Sequence, residues 1–593
     1  MMKYRYLVLL ALIIPLVNPI LALSAVKEDL AYDLSENEDY ALWWSISANK
    51  ILAKKKPVGM NQNGIQISAA RNEYESFQLV MFTKRDIRVE NISVSNFTAG
   101  KNKFLSDKNV EILKVDYVPV INPTDALGQS GNWPDPLMPV TFSDTSPLAL
   151  KGNENHIFWF NIYVPEKANA GNYTAYIRIK LFKSNLISEV PLQLRVYNFT
   201  LPKETHTRTA YGVNVNNDWH RLEKPEDFRT LYDSYLQVLY KRRICPMNPM
   251  AYAPVKVNLI PIKDGETVLD YKVDLDFSEF DKAGEYYLDQ LGFNAFNFPI
   301  ATEYEGLKAF NEDYKRQAKK IFGAQINHLR QKNWLSKAYC YWIDEPDLNN
   351  TPISYVQDGM KFLKEVAPEL KRLLTLCKAP APDARYYDMV NLWAPVMSCF
   401  SNEAAQARQL RSEEVWWYVC TVPRTPYANN FIDHPALEHR MRYWMMEKYN
   451  VQGDLYWTTT FWSYRNPYED ASSYVDANAK DSYGNGDGLL LYPPTKTPPK
   501  EALMAPPNPS IRLEMIRDGL EDREYFWVLR QEIARIKTTA QYDKAKNLLK
   551  EAEWIKQEPN VLIKSLKEFE KDPLKLYHSR QKVALMIEKF RQQ

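Results

Sequence analysis

From about residue 207 to residue 461 the chain repeats one pattern: a short apolar segment, a turn, a stretch with helical periodicity, then another short apolar segment. Parallel strands need a crossover connection of roughly a dozen residues or more, usually a helix, so this alternation reads as βα units. Eight candidate strands fit it: Thr207–Asn214, Arg243–Pro249, Ala295–Ile300, Ala338–Ile343, Arg372–Lys378, Met389–Ala394, Val415–Thr421 and Asp454–Phe461. The clearest helices between them are Phe310–Gln331, Ser354–Ala367 and Ala436–Tyr449. Eight such units over about 260 residues predict a (β/α)8 barrel.

A barrel of that size leaves about half of a 593-residue chain to be placed, and single cores seldom grow that large. From Val26 to Pro202 the pattern is β-rich. Glu75–Phe82 alternates in part, His156–Val164 ends at Pro165, and Gly171–Lys180 and Val190–Tyr197 follow at short spacing. Short strands punctuated by turn residues predict an antiparallel β-sandwich. Beyond Asn508 the chain turns helical, with Ile511–Ile536 followed by Lys-rich amphipathic segments that would cover the barrel. The first 25 residues read as a cleaved signal peptide. Lys3 and Arg5 precede an apolar run from Leu7 to Leu23, which is broken by Pro15, Asn18 and Pro19 and ends at Ala22, Ser24 and Ala25. A membrane span needs about 20 apolar residues without such breaks. The expected order is therefore a signal peptide over 1–25, a β-sandwich over 26–202, a (β/α)8 barrel over 203–508 and a helical extension over 509–593. The expected location is secreted or periplasmic, with no transmembrane segment after cleavage.

The formal net charge is +2 and no basic block stands out, which removes the electrostatic case for nucleic acid. The five cysteines, Cys245, Cys340, Cys377, Cys399 and Cys420, are odd in number and form no CxxC, so they read as thiols filling core space. No HExxH, GxSxG or phosphate loop is present, and Asp481, Asn485 and Asp487 among Gly484, Gly486 and Gly488 read as a tight turn because their spacing departs from an EF-hand. No metal and no cofactor is expected. Arg512, Glu514, Arg517, Asp518, Glu521, Asp522 and Arg523 share one helix at spacings of three or four, a structural charge network. The unusual component is aromatic: 15 Trp and 38 Tyr. Beyond core packing, such rings suit the apolar C–H faces of sugars.

Catalytic groups of these barrels sit at the C-terminal ends of the strands. The fourth candidate strand runs Tyr339-Cys-Tyr-Trp-Ile-Asp-Glu-Pro346 and ends in two adjacent carboxyls, Asp344 and Glu345. Neighbours in a regular strand face opposite ways. At a bending tip, with Pro346 biasing Glu345 toward an extended backbone, both side chains can approach one site. Like charges that close push one pKa up, giving a protonated acid beside an ionised partner, as cleavage of a glycosidic bond requires. The structural alternative is a strand-end cap in which these acids bond loop amides.

The tips of the sixth to eighth candidate strands carry no second carboxylate, and Glu303 and Glu305 after the third are loop acids. A hydrolase with one acid and one orienting carboxylate fits substrate-assisted catalysis, in which a 2-acetamido oxygen attacks the anomeric carbon. Two rivals stay open. One is a hydrolase acting on a glycan without an acetamido group, with Glu345 as acid and an unidentified base. The other is a non-catalytic carbohydrate-binding surface protein.

Four stretches resemble the catalytic domain of glycoside hydrolase family 123. They are Tyr341-Trp-Ile-Asp-Glu-Pro346; Trp416-Trp-Tyr-Val-Cys420 with Pro423 and Asn430-Phe-Ile-Asp433; Gly453-Asp-Leu-Tyr-Trp457; and Gly486-Asp-Gly-Leu-Leu-Leu-Tyr-Pro493 with Ser510–Glu514 and Arg517–Asp522. The resemblance implies a β-N-acetylgalactosaminidase that retains configuration through an oxazoline, with Glu345 as general acid/base and Asp344 orienting the acetamido group. Glycan or glycoconjugate would be the partner. Trp393, Tyr418 and Trp457 are the candidate sugar contacts, with core packing as the alternative for each; a Tyr418 hydroxyl donating to the acetamido oxygen would position the nucleophile. Asn430 and Asp433 either bond sugar hydroxyls or cap the helix that starts near Pro435.

Overall fold

The computed structural model describes residues 31–593 except 55–58, 101–102, 186, 304–308, 379, 463–464, 473–483 and 540. The expected signal peptide, Glu305 and Asp481 lie outside the described residues.

The N-terminal region is two facing sheets. One has the spatial order Gly131–Pro139, Val110–Val120, Glu154–Val164, Glu73–Thr83, Tyr40–Ile46, Tyr32–Glu36, Met60–Asn61; the other runs Leu148–Leu150, Ile87–Val94, Gly171–Leu181, Ile187–Thr200, Ile65–Arg71. Pairing is antiparallel except at the two ends that carry Met60–Asn61 and Ile65–Arg71. Gly171–Leu181 shows the alternation of a strand with one wet face: Tyr173, Ala175, Ile177 and Ile179 are buried and the residues between them are not. Tyr40–Ile46 is buried on both faces, and so is nearly all of Glu154–Val164. The outer face of this sheet meets the helix Ile511–Lys537, whose Arg517 donates to Ser76 Oγ (2.8 Å) and Asn161 Oδ1 (3.4 Å) and whose Asp518 accepts from Ser47 Oγ (3.3 Å).

The second region is a seven-stranded parallel sheet in the order Arg208–Tyr211, Gly453–Tyr456, Glu414–Tyr418, Leu392–Pro395, Lys371–Leu376, Ala338–Cys340, Phe296–Asn297. The first strand pairs with the last in the chain, Tyr211 opposite Tyr456, so the sheet curls into a nearly closed ring. The remaining gap is spanned by one segment: Tyr211 bridges Pro246, Met247 N donates to Tyr211 O (2.7 Å), and Asn297 N donates to Met247 O (2.8 Å). Arg243–Pro249 was the second expected strand and forms no ladder. Pro246 and Pro249 lack the N–H that a ladder uses, and Arg243 sits at φ +60°.

The regular (β/α)8 repeat is also broken between Lys371–Leu376 and Leu392–Pro395, where a single 3-10 turn, Ala384–Tyr386, replaces the helix. The irregular 250–290 stretch holds a hairpin, Lys256–Asp264 with Thr267–Asp276. Elsewhere helices follow their strands. Glu312–Gln331 starts where Asn311 caps Tyr314 N (2.7 Å), and Ala436–Tyr449 stops at Asn450 in the left-handed conformation.

Strand parity sorts the barrel's side chains. Ala210, Ala295, Tyr339, Leu373, Leu392, Ala394, Val396, Trp416, Tyr418 and Leu455 fill the interior, and Tyr341, Cys377, Cys399 and Cys420 border its C-terminal end. Trp393 and Trp417 have the opposite parity and pack outward in the large core under the helices.

The expected charge network is buried between the two regions. Glu514 receives Arg242 and Arg517, and Asp522 receives Arg440 and Trp444 Nε1. Arg580 from the C-terminal helix Pro573–Arg591 reaches Glu73 and Glu75 of the sandwich. Among the described residues no helix is long and apolar enough to cross a membrane.

Candidate active site

The fourth expected strand ends earlier than its apolar run. Ala338–Cys340 forms the ladder, and Tyr341 to Glu345 bends away at the C-terminal mouth. The bend separates the two acids. Asp344 is exposed; the Tyr341 hydroxyl donates to its Oδ1, and so does Thr375 Oγ1 at 3.2 Å. Thr375 in turn accepts Glu345 N at 2.8 Å. Glu345 is half-buried and turns the other way, where its Oε1 accepts the Tyr418 hydroxyl. The two carboxyls thus leave one bend in different directions, Asp344 toward Tyr341 and Thr375 and Glu345 toward Tyr418.

The backbone differs from the extended state expected before Pro346. Glu345 has φ +39°, a region in which a non-glycine residue is strained by about 1–3 kcal/mol. Its surroundings fix it there: Thr375 holds its N–H, and Leu348 N (2.9 Å) and Asn349 N (3.0 Å) both donate to its carbonyl. Asp347 closes the corner by accepting Cys377 N at 3.0 Å and Lys378 N at 2.8 Å.

Burial holds the Glu345 carboxyl above the usual value; the Tyr418 hydroxyl pulls it down, and the charges of Asp344 and Asp347 push it up again. Burial, and then the neighbouring Glu345 charge, hold the Tyr418 hydroxyl well above its ordinary pKa, so it remains a donor. Burial and Glu345 also push the Cys377 thiol up to about 11. Of the five cysteines, all free, Cys245 and Cys340 are core thiols as expected, whereas Cys377, Cys399 and Cys420 are half-buried at this mouth.

The structure brings some of the expected site residues together and leaves others out. Tyr418 is at the mouth, with its hydroxyl on Glu345. Trp457 follows the strand Gly453–Tyr456, is half-buried, packs on Phe461 (centroids 5.0 Å apart) and donates from Nε1 to Asp487 Oδ2 (3.1 Å). Trp393 lies away from the mouth: it is fully buried on the barrel's outer side, edge-on to Tyr387, with Nε1 donating to Glu413 (2.7 Å). Asn430 is buried and accepts from Arg442 (2.9 Å). Asp433 neither meets the mouth nor caps the helix; it receives Thr124 N (2.7 Å) and Thr124 Oγ1 (2.6 Å) from the sandwich. Glu303 is exposed on its loop.

Asp487 is the residue the sequence reading passed over. It is 2% exposed and accepts both Tyr456 Oη and Trp457 Nε1, each at 3.1 Å. Burial pushes it up to about 7 against those two bonds and Arg512. The Cys420 thiol is raised by burial, and then by the charges of Asp487 and Glu345. Three glycines at positive φ within five residues were the available signal: each marks a close backbone approach, and a Cβ on Gly488 would sit 2.5 Å from the Trp457 ring. Among the described residues no group of three or more His, Cys, Asp or Glu is placed to hold a metal ion.

A profile described as the catalytic domain of glycoside hydrolase 123 matches residues 290–529, and one described as the glycoside hydrolase 123 N-terminal domain matches 46–181. No curated protein sequence matches the chain. A solved family 123 glycoside hydrolase from Clostridium perfringens, described in terms of glycolipid glycan hydrolysis, superposes with a TM-score of 0.64 at 16% identity, covering 93% of this chain and 97% of that one. That overlap shows the same overall fold. A β-glucuronidase from Parabacteroides merdae (11% identity, 78% and 51% covered) and a xylanase from Cellvibrio japonicus (11%, 83% and 96% covered) reach TM-scores of only 0.26 and 0.30 and carry no weight. With both of the family's domains matched in order and the fold of a solved member shared over nearly the whole chain, the chain belongs to glycoside hydrolase family 123.

Proposed function

We propose that the enzyme removes a terminal β-linked N-acetylhexosamine, preferring N-acetylgalactosamine, with retention of configuration through an oxazoline, and that it works outside the cytoplasm after loss of its first 25 residues. The observation that carries the mechanism is the divergence of Asp344 and Glu345 at one bend. Glu345, held toward its protonated form by burial, gives its proton to the glycosidic oxygen as the C1–O bond breaks. The substrate's own acetamido oxygen forms the new bond at C1. Asp344, already shaped as an acceptor by Tyr341 and Thr375, takes the acetamido N–H and orients the nucleophile. Glu345, now ionised, then removes a proton from the water that opens the oxazoline. The half-buried Trp457 ring is the platform for the sugar's C–H face. The similarity to the Clostridium perfringens enzyme supports a glycolipid or related glycoconjugate as the source of the glycan.

A second reading rests on Asp487. A third carboxyl beside Trp457 is a candidate base for a hydrolase that needs no acetamido group. An N-acetylgalactosamine thiazoline separates the two. Competitive inhibition, with the β-anomer as first product by NMR, supports substrate assistance. No inhibition together with cleavage of plain β-galactosides refutes it.

A further inference from the structure

The sandwich and the sugar platform are joined by a continuous chain of buried polar contacts. Asp135, in the sandwich strand Gly131–Pro139, receives Arg512 through Nε (3.0 Å to each oxygen) and Nη2 (2.8 Å), and the Tyr492 hydroxyl at 2.7 Å. Both side chains of the ion pair are 0% exposed. Arg512 does not stop there. Its Nη1 donates to Gly486 O (2.6 Å) and Asn430 O (2.8 Å), and its Nη2 also donates to Leu489 O. The Gly486 and Leu489 carbonyls belong to the turn that carries Asp487, and Asp487 receives Trp457 Nε1 and Tyr456 Oη.

The turn has little freedom of its own. Gly484, Gly486 and Gly488 lie at φ +93°, +81° and +73°, and a Cβ on Gly486 would come within 2.7 Å of Arg512 Nη1. A second tether from the sandwich grips the same turn: Asn485 donates from N to Thr124 Oγ1 and from Nδ2 to Asn122 O, each at 2.9 Å.

We infer that Asp487 is a positioning residue that fixes the indole of Trp457, and that the N-terminal sandwich, through Asp135 and Thr124, sets the place of Asp487. The sandwich is then part of the substrate-binding apparatus without touching substrate. A planar guanidinium is suited to the relay, because its donors lie in a fixed fork: one edge takes a carboxylate while the remaining donors take carbonyls in register. The inference rests on the reading of Trp457 as the sugar platform for its kinetic consequence, but not for its geometry.

The test uses the full chain labelled with 5-fluorotryptophan, the Trp457 resonance being assigned by its loss in Trp457→Phe. Asp487→Asn and Asp135→Asn should both displace that resonance. Where Asp135→Asn does not fold, Thr124→Val takes its place. In the same variants KM for a β-N-acetylgalactosaminide should rise about tenfold or more with kcat within about twofold, the pattern of lost uniform binding. A general loosening of the fold would instead lower kcat or the yield of folded protein. A Trp457 resonance unmoved in Asp487→Asn, or moved there but unmoved in the folded sandwich variant, overturns the inference. If the enzyme cleaves no glycoside tried, the sugar reading fails, and the resonances still decide the inference.

Discussion

Replacing Tyr418 by Phe removes one hydroxyl and keeps the ring that fills the barrel's interior. That hydroxyl donates to Glu345 and so favours the ionised carboxylate, while burial and the charges of Asp344 and Asp347 favour the protonated acid. With that donor gone, burial and the two neighbouring charges are opposed only by the smaller effect of Cys377, so the general acid stays protonated to higher pH. A hydrogen bond to a charged group contributes about 1.5–3 kcal/mol, and one pKa unit corresponds to about 1.36 kcal/mol. The full bond would therefore move Glu345 by about 1–2 units, and water reaching the half-buried carboxyl reduces this to about one unit. The assay is the pH profile of kcat/KM on a disaccharide with a terminal β-N-acetylgalactosamine, whose poor leaving group makes the acid matter. The alkaline limb should move up by about one pH unit. A limb that stays put or moves down refutes the assignment of Glu345 as the acid governed by Tyr418.

Three further outcomes follow from the packing. Trp393→Phe should leave KM unchanged and lower stability by about 1–3 kcal/mol, because it loses the Glu413 bond and core volume; a raised KM in kinetic assays would return Trp393 to the site. Gly488→Ala should cost about 1–3 kcal/mol by overpacking against Trp457, and should raise KM as well; a melting scan and kinetics indistinguishable from the parent contradict the close approach. His434 is fully enclosed; burial opposes its charge, but bonds to Asp125 and Glu438 outweigh burial and raise its pKa from 6.5 to about 9. A histidine raised in the folded state contributes stability that is whole below about 6.5 and is lost as pH rises toward about 9, on the order of 3 kcal/mol in all. His434→Gln should flatten that part of the curve of melting temperature against pH, and a slope as steep as the parent's counts against the buried ion triad.

Much of the barrel was legible because parallel strands declare themselves as short apolar runs. Seven of the eight expected segments form ladder strands, and the exception, Arg243–Pro249, contains two prolines. The sequence gives less help where tertiary contacts decide. Trp393 and Trp416 look alike as aromatic residues in strands, but Leu392 and Ala394 take the inward places and send Trp393 out, whereas Trp416 shares the inward parity of Tyr418. Asn430 and Asp433 carry polar groups in a family-like stretch, yet their partners come from Arg442 and from Thr124, some 300 residues earlier in the chain. No local pattern reports such a contact. The bend at Glu345 reverses the usual effect of a following proline, because Thr375, Leu348 and Asn349 together hold its backbone.

The proposed catalysis depends on the division of labour between Asp344 and Glu345. The direct measurement is hydrolysis of 4-nitrophenyl β-N-acetylgalactosaminide, β-N-acetylglucosaminide, β-galactoside and β-glucoside by the parent, Asp344→Asn and Glu345→Gln. The parent should release nitrophenol from the N-acetylated sugars alone, N-acetylgalactosaminide first. Asp344→Asn should lose most of kcat because the acetamido group is no longer oriented. Added azide should give no α-azide with Asp344→Asn, since the nucleophile is the substrate's own. Equal release from sugars with and without the acetamido group, or an Asp344→Asn variant as active as the parent, would contradict the proposed catalysis.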